Sequence, residues 1–304
     1  MQFRPAIKSQ FALGFTLIEL SIVLVIIGLI IGGVLVGRDL ISAARVRAQI
    51  SQIQKYQVAV HAFQAKYGYL PGDIPDPAAT NYGFQTRGTF SGEGDGDNVL
   101  EGVFFNGDGD NKGTWEAIGE TAVFWVDLST ANLIDAGFNT ASTTANPPIV
   151  PVTGAGISSY FPYAKLGRGN YVYVYSGTST GECSFHACTA GTAYYGISAV
   201  TSLGTGSFLA NPAMTVAEAN AIDQKIDDDL PQSGSVLAMY LGFSNANIVG
   251  ATGAGTQGPP GTGQTAPTAT TCYDNGNVNG AQQHYSIEVG GGANINCALS
   301  LQFQ

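Results

Sequence analysis

The feature that most constrains this chain is a run of 23 residues, 15–37, that is apolar except for one carboxylate, Glu19. As an α-helix rising 1.5 Å per residue it reaches about 34 Å, enough to cross a hydrocarbon core of about 30 Å. Residues 1–14 carry Arg4 and Lys8 and no acid. Positive charge of this kind stays on the cytoplasmic side, which sends residues 38–304 outward. An ionisable group inside a membrane segment costs about 2.5–3.5 kcal/mol or more at the helix centre, so Glu19 reads as functional. A secretory signal would have a shorter apolar region, about 7–15 residues, ending in an A-x-A-like site. Here the run is longer, no such site follows it, and charge resumes at Arg38. A plain single-span anchor explains length and orientation but leaves Gly14-Phe15-Thr16-Leu17-Ile18-Glu19 unexplained.

That hexapeptide at the end of a short basic leader resembles the start of the type IV pilin and type II secretion pseudopilin superfamily. The resemblance implies cleavage after Gly14 by a prepilin peptidase and N-methylation of Phe15. It also implies a role for Glu19, at the fifth position after the cut, in subunit packing. Its partner would be the new Phe15 amine of a neighbouring subunit, since a carboxylate in lipid needs an opposite charge. The implied fold is α+β and pilin-like: a long N-terminal helix, its first half spanning the membrane, packed on an antiparallel β-sheet, with a long insertion between helix and sheet. Four segments follow: a leader (1–14), a transmembrane and assembly helix (15–37), its amphipathic continuation (38–67) and an extracytoplasmic globular part (68–304). The kinking proline that many pilins carry in this helix is missing. Gly28, Gly32, Gly33 and Gly37 stand there instead. They serve either close helix packing or local melting.

The implied function is a structural subunit of a type IV pilus or related filament. A pseudopilin of a type II secretion system and an adhesive or ligand-binding minor pilin are the alternatives. Expected partners are the prepilin peptidase, an assembly platform in the inner membrane, and other pilin or pseudopilin subunits met through the N-terminal helix. The precursor would sit in a bacterial inner membrane with its C-terminus outside the cytoplasm. The assembled form would be an extracellular or periplasmic filament.

Composition narrows the globular part. The formal charge is −10, which disfavours nucleic-acid binding through a basic surface. The four cysteines, Cys183, Cys188, Cys272 and Cys297, all lie beyond the membrane run. In an oxidising space an even count reads as two disulfides, with three possible connectivities. Cys183–Cys188 with Cys272–Cys297 is favoured, the second pair stapling the C-terminal strands as in the related pilins. Zinc on Cys183, His186 and Cys188 is the competing reading, with poor spacing.

Along the chain, the helix is expected to continue to about Tyr67. Val46, Ile50, Ile53, Val60 and Tyr67 mark one apolar face, interrupted by Gln57 and Gln64. Residues 115–136 and 215–228 read as helices, the latter with Thr215 and Glu218 in a capping-box pattern. Residues 171–175, 194–200, 235–243, 284–289 and 298–303 read as strands. The Gly/Thr/Ala/Pro segment 250–271 reads as a loop.

A second pattern that suggests a metal is acidic. Glu93, Asp95 and Asp97, then Asn106, Asp108 and Asp110, alternate with glycine, and such oxygen donors on a turning backbone suit calcium. The EF-hand pattern is half met: Asn111 stands where glycine belongs, and Ala117 occupies the twelfth position. A solvated pair of acidic turns is the competing reading. No cofactor is required by the implied function. Of the three histidines, His61, His186 and His284, none falls in a catalytic motif. No nucleophile elbow, zinc-protease helix or phosphate loop is present, so no enzyme is expected. Four aromatics, Tyr160, Phe161, Tyr163 and Tyr171, offer a candidate binding face.

Overall fold

The computed structural model describes residues 16–87, 94–100, 119–141, 152–176, 182–183, 186–187, 191–204, 207–242, 245–248, 271–276 and 281–304. The chain divides into two compact units, Met1–Ala44 and Arg45–Gln304. One helix, α1 (Leu17–Tyr67), begins in the first and ends in the second. It runs unbroken through Gly28, Gly32, Gly33 and Gly37, and a Cβ at any of these four would meet nothing within 4 Å.

In the second unit α1 turns one face to the core: Val46, Ile53, Ala59, Val60 and Phe63 are buried. Ile50 and Tyr67 pack against that core half-buried. The same face buries two amides. Gln52 donates through Nε2 to the Tyr163 carbonyl at 2.8 Å and accepts through Oε1 from the Lys165 amide at 3.0 Å. Gln49 Oε1 accepts from the Leu166 amide at 3.3 Å. The two glutamines thus satisfy the backbone of segment 163–166, which would otherwise bury unpaired groups.

A single turn, α2 (Ala78–Asn81), follows α1, and then α3 (Glu120–Thr130) and α4 (Val216–Ile226). α3 is shorter than the span 115–136 predicted from its apolar residues. Asn132 adopts φ +56, and the Leu133 amide reaches back to the Leu128 carbonyl at 3.0 Å. That is a Schellman stop, for which asparagine is the usual substitute for glycine. Residues 115–118 lie outside the described set. α4 starts as predicted. Thr215 Oγ1 accepts from the Glu218 amide at 3.2 Å, and Glu218 Oε2 accepts from the Thr215 amide at 3.1 Å.

The main sheet has six strands, all antiparallel: β1 (Val152–Thr153), β2 (Asn170–Ser176), β3 (Ala193–Gly204), β4 (Ser207–Asn211), β5 (Val236–Leu237) and β6 (Leu299–Gln302). β3 organises it. Its residues 193–199 pair with β2, 202–203 with β1, 194–197 with β6 and 199–204 with β4, while β6 also pairs with β5. Every residue of β2 is buried. At Gly196 a Cβ would sit 2.2 Å from the Tyr173 ring, so only glycine lets that ring lie across β3. Tyr56 of α1 and Phe124 and Trp125 of α3 surround Tyr195 of β3, whose ring stacks on Phe303 at 4.2 Å. This aromatic contact joins helices to sheet.

Three predicted strands are shorter, the last of them, 298–303, forming over Leu299–Gln302. Segment 235–243 divides into β5 and Met239–Gly242, because the Ala238 amide leaves the ladder to bond the Pro231 carbonyl at 2.8 Å. In segment 284–289 only His284–Tyr285 pairs, with Tyr273–Asp274. Cys272 and Cys297 are joined in a disulfide, tying the Tyr273–Asp274 strand to the chain just before β6.

Candidate functional site

Thr16 and Glu19 close a reciprocal pair at the start of α1. Glu19 Oε2 accepts from the Thr16 amide at 2.8 Å and from Thr16 Oγ1 at 2.7 Å, and Thr16 Oγ1 accepts from the Glu19 amide at 3.3 Å. This is a capping box, which satisfies two of the amides that a helix start leaves unpaired and sets a negative charge at its positive end. The sequence signal for this cap is the Thr-x-x-Glu spacing of Thr16 and Glu19. Within the chain, then, the carboxylate caps its own helix and remains exposed, open to a further cation.

The helix that follows is apolar and uncovered. Leu17, Ile18, Leu20, Leu24, Val25, Leu29 and Ile30 are all more than half exposed. None of its most apolar 18-residue window is buried, and by length and composition it can cross a membrane. An apolar surface of this extent calls for a bilayer or other helices around it. Gly14 and Phe15 lie outside the described residues.

The acidic segment is described in part. Asp95 and Asp97 fall within the structure, whereas Glu93, Asn106, Asp108 and Asp110 lie outside the described residues. Asp95 and Asp97 come together with Asp73, from the exit of α1, each offering a carboxylate oxygen within 4.8 Å of the others. All three also act as turn acceptors. Asp73 Oδ1 and Oδ2 take the Gly96 and Asn98 amides at 2.7 and 2.8 Å, Asp95 Oδ1 takes the Asp97 amide, and Asp97 Oδ1 takes that of Val99. Burial pushes the Asp73 carboxyl up to about 6. The Asn98 and Gly96 amides and a hydrogen bond with Glu120 oppose the rise, while the Asp97 charge adds to it. Asp73 is not among the predicted ligands, because 19 residues of chain lie between it and Glu93, where the acidic repeat begins. Below it, Arg87 spans the Ile74 carbonyl (Nε, 2.8 Å) and Asp127 Oδ2 (Nη2, 2.6 Å).

The predicted aromatic face does not form as a unit. Phe161 and Tyr171 are buried, and Tyr160 is half-buried. Tyr163 alone is mostly exposed, stacked on Tyr171 at 4.8 Å. It lines an open groove of about 700 Å³ with Gln52, Lys55, Tyr56 and Asp135. His61 and His284 are exposed. The proposed Cys183–Cys188 pair, and zinc there, involve side chains outside the described set.

Searches of protein-family models, of curated proteins and of solved structures find no match to this chain.

Proposed function

We propose that the chain is a structural subunit of a pilin-type filament, made as a membrane-anchored precursor, cut after Gly14 and methylated on Phe15. The observation that carries this reading is the placing of Glu19. It is the only charge in the apolar run 15–37, at the start of α1 and five residues after Gly14, where the helix surface is exposed. Bundled with its own kind, such a helix buries its apolar surface. Glu19 then receives the amine that cleavage creates on the next subunit's Phe15. The capping box fits this role, because it fixes the carboxylate near the helix N-terminus while leaving it accessible. The antiparallel sheet domain would be carried on the filament surface. In this reading the subunit catalyses nothing, and its partners are the peptidase, the assembly platform and other pilins.

The test is Glu19→Ala in cells that make the filament. Membrane insertion should persist, since apolar length is unchanged, while co-assembly falls at least tenfold. Normal incorporation of the variant would sink the proposed role of Glu19.

A further inference from the structure

Outside the features discussed above, one cluster of carboxylates is held in a geometry that its own hydrogen bonds do not complete. We infer that Asp223, Asp227 and Asp228 form a binding site for a hard divalent cation of the calcium class. Each offers a carboxylate oxygen within 4.8 Å of the others. Oxygens on opposite sides of a calcium ion stand about 4.6–5.2 Å apart, a spacing at which the three carboxylates can converge on one ion with small side-chain rotations. The donors are oxygens throughout, which selects against the softer transition metals.

A second observation points to the same ligand. Asp223 is fully buried. Its Oδ2 accepts from the Tyr285 hydroxyl at 2.7 Å, and its Oδ1 accepts no hydrogen bond of ordinary geometry. With the Tyr285 hydroxyl and, outside ordinary geometry, the Asp229 amide as its donors, this buried carboxylate keeps acceptor capacity that a cation can fill. The charges of Asp228 and Asp227 crowd this carboxylate further. Among the described residues the ion pairs are Arg87–Asp127 and Arg168–Glu218, so no side-chain cation pairs with the cluster. Lys225, the basic residue of this segment, directs its ammonium at the Ala221 carbonyl.

The turn after α4 holds the other two ligands in place. Asp227 Oδ2 accepts the Ser235 and Val236 amides. Asp228 Oδ1 accepts the Leu230 amide at 3.0 Å, and its Oδ2 accepts the Ser233 hydroxyl at 2.6 Å. A carboxylate oxygen has lone pairs for both a hydrogen bond and a metal. Asn220 of α4 donates to Asp229 and closes the turn against the helix. An ion here would link α4, the turn 227–236 and the strand that carries Tyr285. The site is separate from Asp73, Asp95 and Asp97.

The experiment uses the full chain in detergent, stripped with a chelator and titrated with Ca²⁺ by calorimetry, with melting temperature followed in parallel. Saturable binding and an upward shift in melting temperature are expected. Asp228→Asn, at an exposed position, should weaken binding at least tenfold. Asp223→Asn should raise the melting temperature in chelator yet abolish the calcium-dependent shift, two opposite effects that a merely structural role would not give. The double variant Asp95→Asn, Asp97→Asn should bind as the parent does. Absence of binding at millimolar Ca²⁺, binding retained in both Asp223→Asn and Asp228→Asn, or binding lost in the Asp95/Asp97 double variant would each overturn the assignment.

Discussion

Arg87 Nη2 lies 2.6 Å from Asp127 Oδ2, with 2% of one side chain and none of the other exposed to water. Asp127 Oδ2 also accepts the Gly72 amide at 2.7 Å, so the pair ties the exit of α1 and the loop at Arg87 to α3. Gly72 is itself fixed there by geometry: its φ is +93, and a Cβ would fall 2.4 Å from the Glu120 carbonyl oxygen. Removing one member of a buried ion pair strands the other, at about 3–5 kcal/mol. Asp127→Ala should therefore lower unfolding free energy by about that amount in urea titrations. The double replacement Arg87→Met, Asp127→Leu should cost clearly less. Equal losses would mean that the hydrogen bonds to Gly72 and Ile74, and not the stranded charge, carry the effect.

The start of α4 should respond to acid. At Glu218 burial raises the carboxyl, but Arg168, at 2.5 and 3.1 Å, and the Thr215 amide and hydroxyl outweigh it, leaving the group below its ordinary range. A depressed carboxyl contributes stability that is present above the ordinary carboxylate range and is lost as pH falls through the folded value. Glu218→Gln should be less stable at neutral pH and should lose part of the parent's decline in acid. Denaturant midpoints at pH 7 and pH 3.5 measure both. Thr215→Ala, which removes the cap, should cost about 1 kcal/mol.

Asp73 should act with the opposite sign. Its carboxyl is raised to about 6, so between about pH 4 and pH 6 the folded chain holds a proton that the unfolded chain releases. Stability from this group is therefore greatest in mild acid and declines as pH rises through 6. Asp73→Asn should flatten the stability profile across that window. An unchanged slope between pH 4.5 and pH 7 would contradict the assignment.

Much of this architecture was readable in the sequence, and the misses have identifiable causes. The apolar spacing located the outer half of α1, and Thr215 with Glu218 located the start of α4, because each is a local pattern that tertiary contacts only reinforce. Tyr171 to Tyr175 read as a strand for the same reason. The burial of Gln49 and Gln52 was not readable, since it depends on where segment 163–166 lies. The same holds for Asp73 beside Asp95 and Asp97, and for Asp223 beside Tyr285, which meet only through the fold. Two further local signals stand in the sequence: Thr16 three residues before Glu19 as a cap, and Asn132 as the stop of α3.

The measurement that tests the central claim most directly is mass spectrometry of the chain's N-terminal peptide, taken from the membrane fraction and from filaments sheared off the cell surface. The account expects a methylated peptide that begins at Phe15. A chain that keeps residues 1–14 in every fraction would contradict it, and would leave an ordinary membrane-anchored protein.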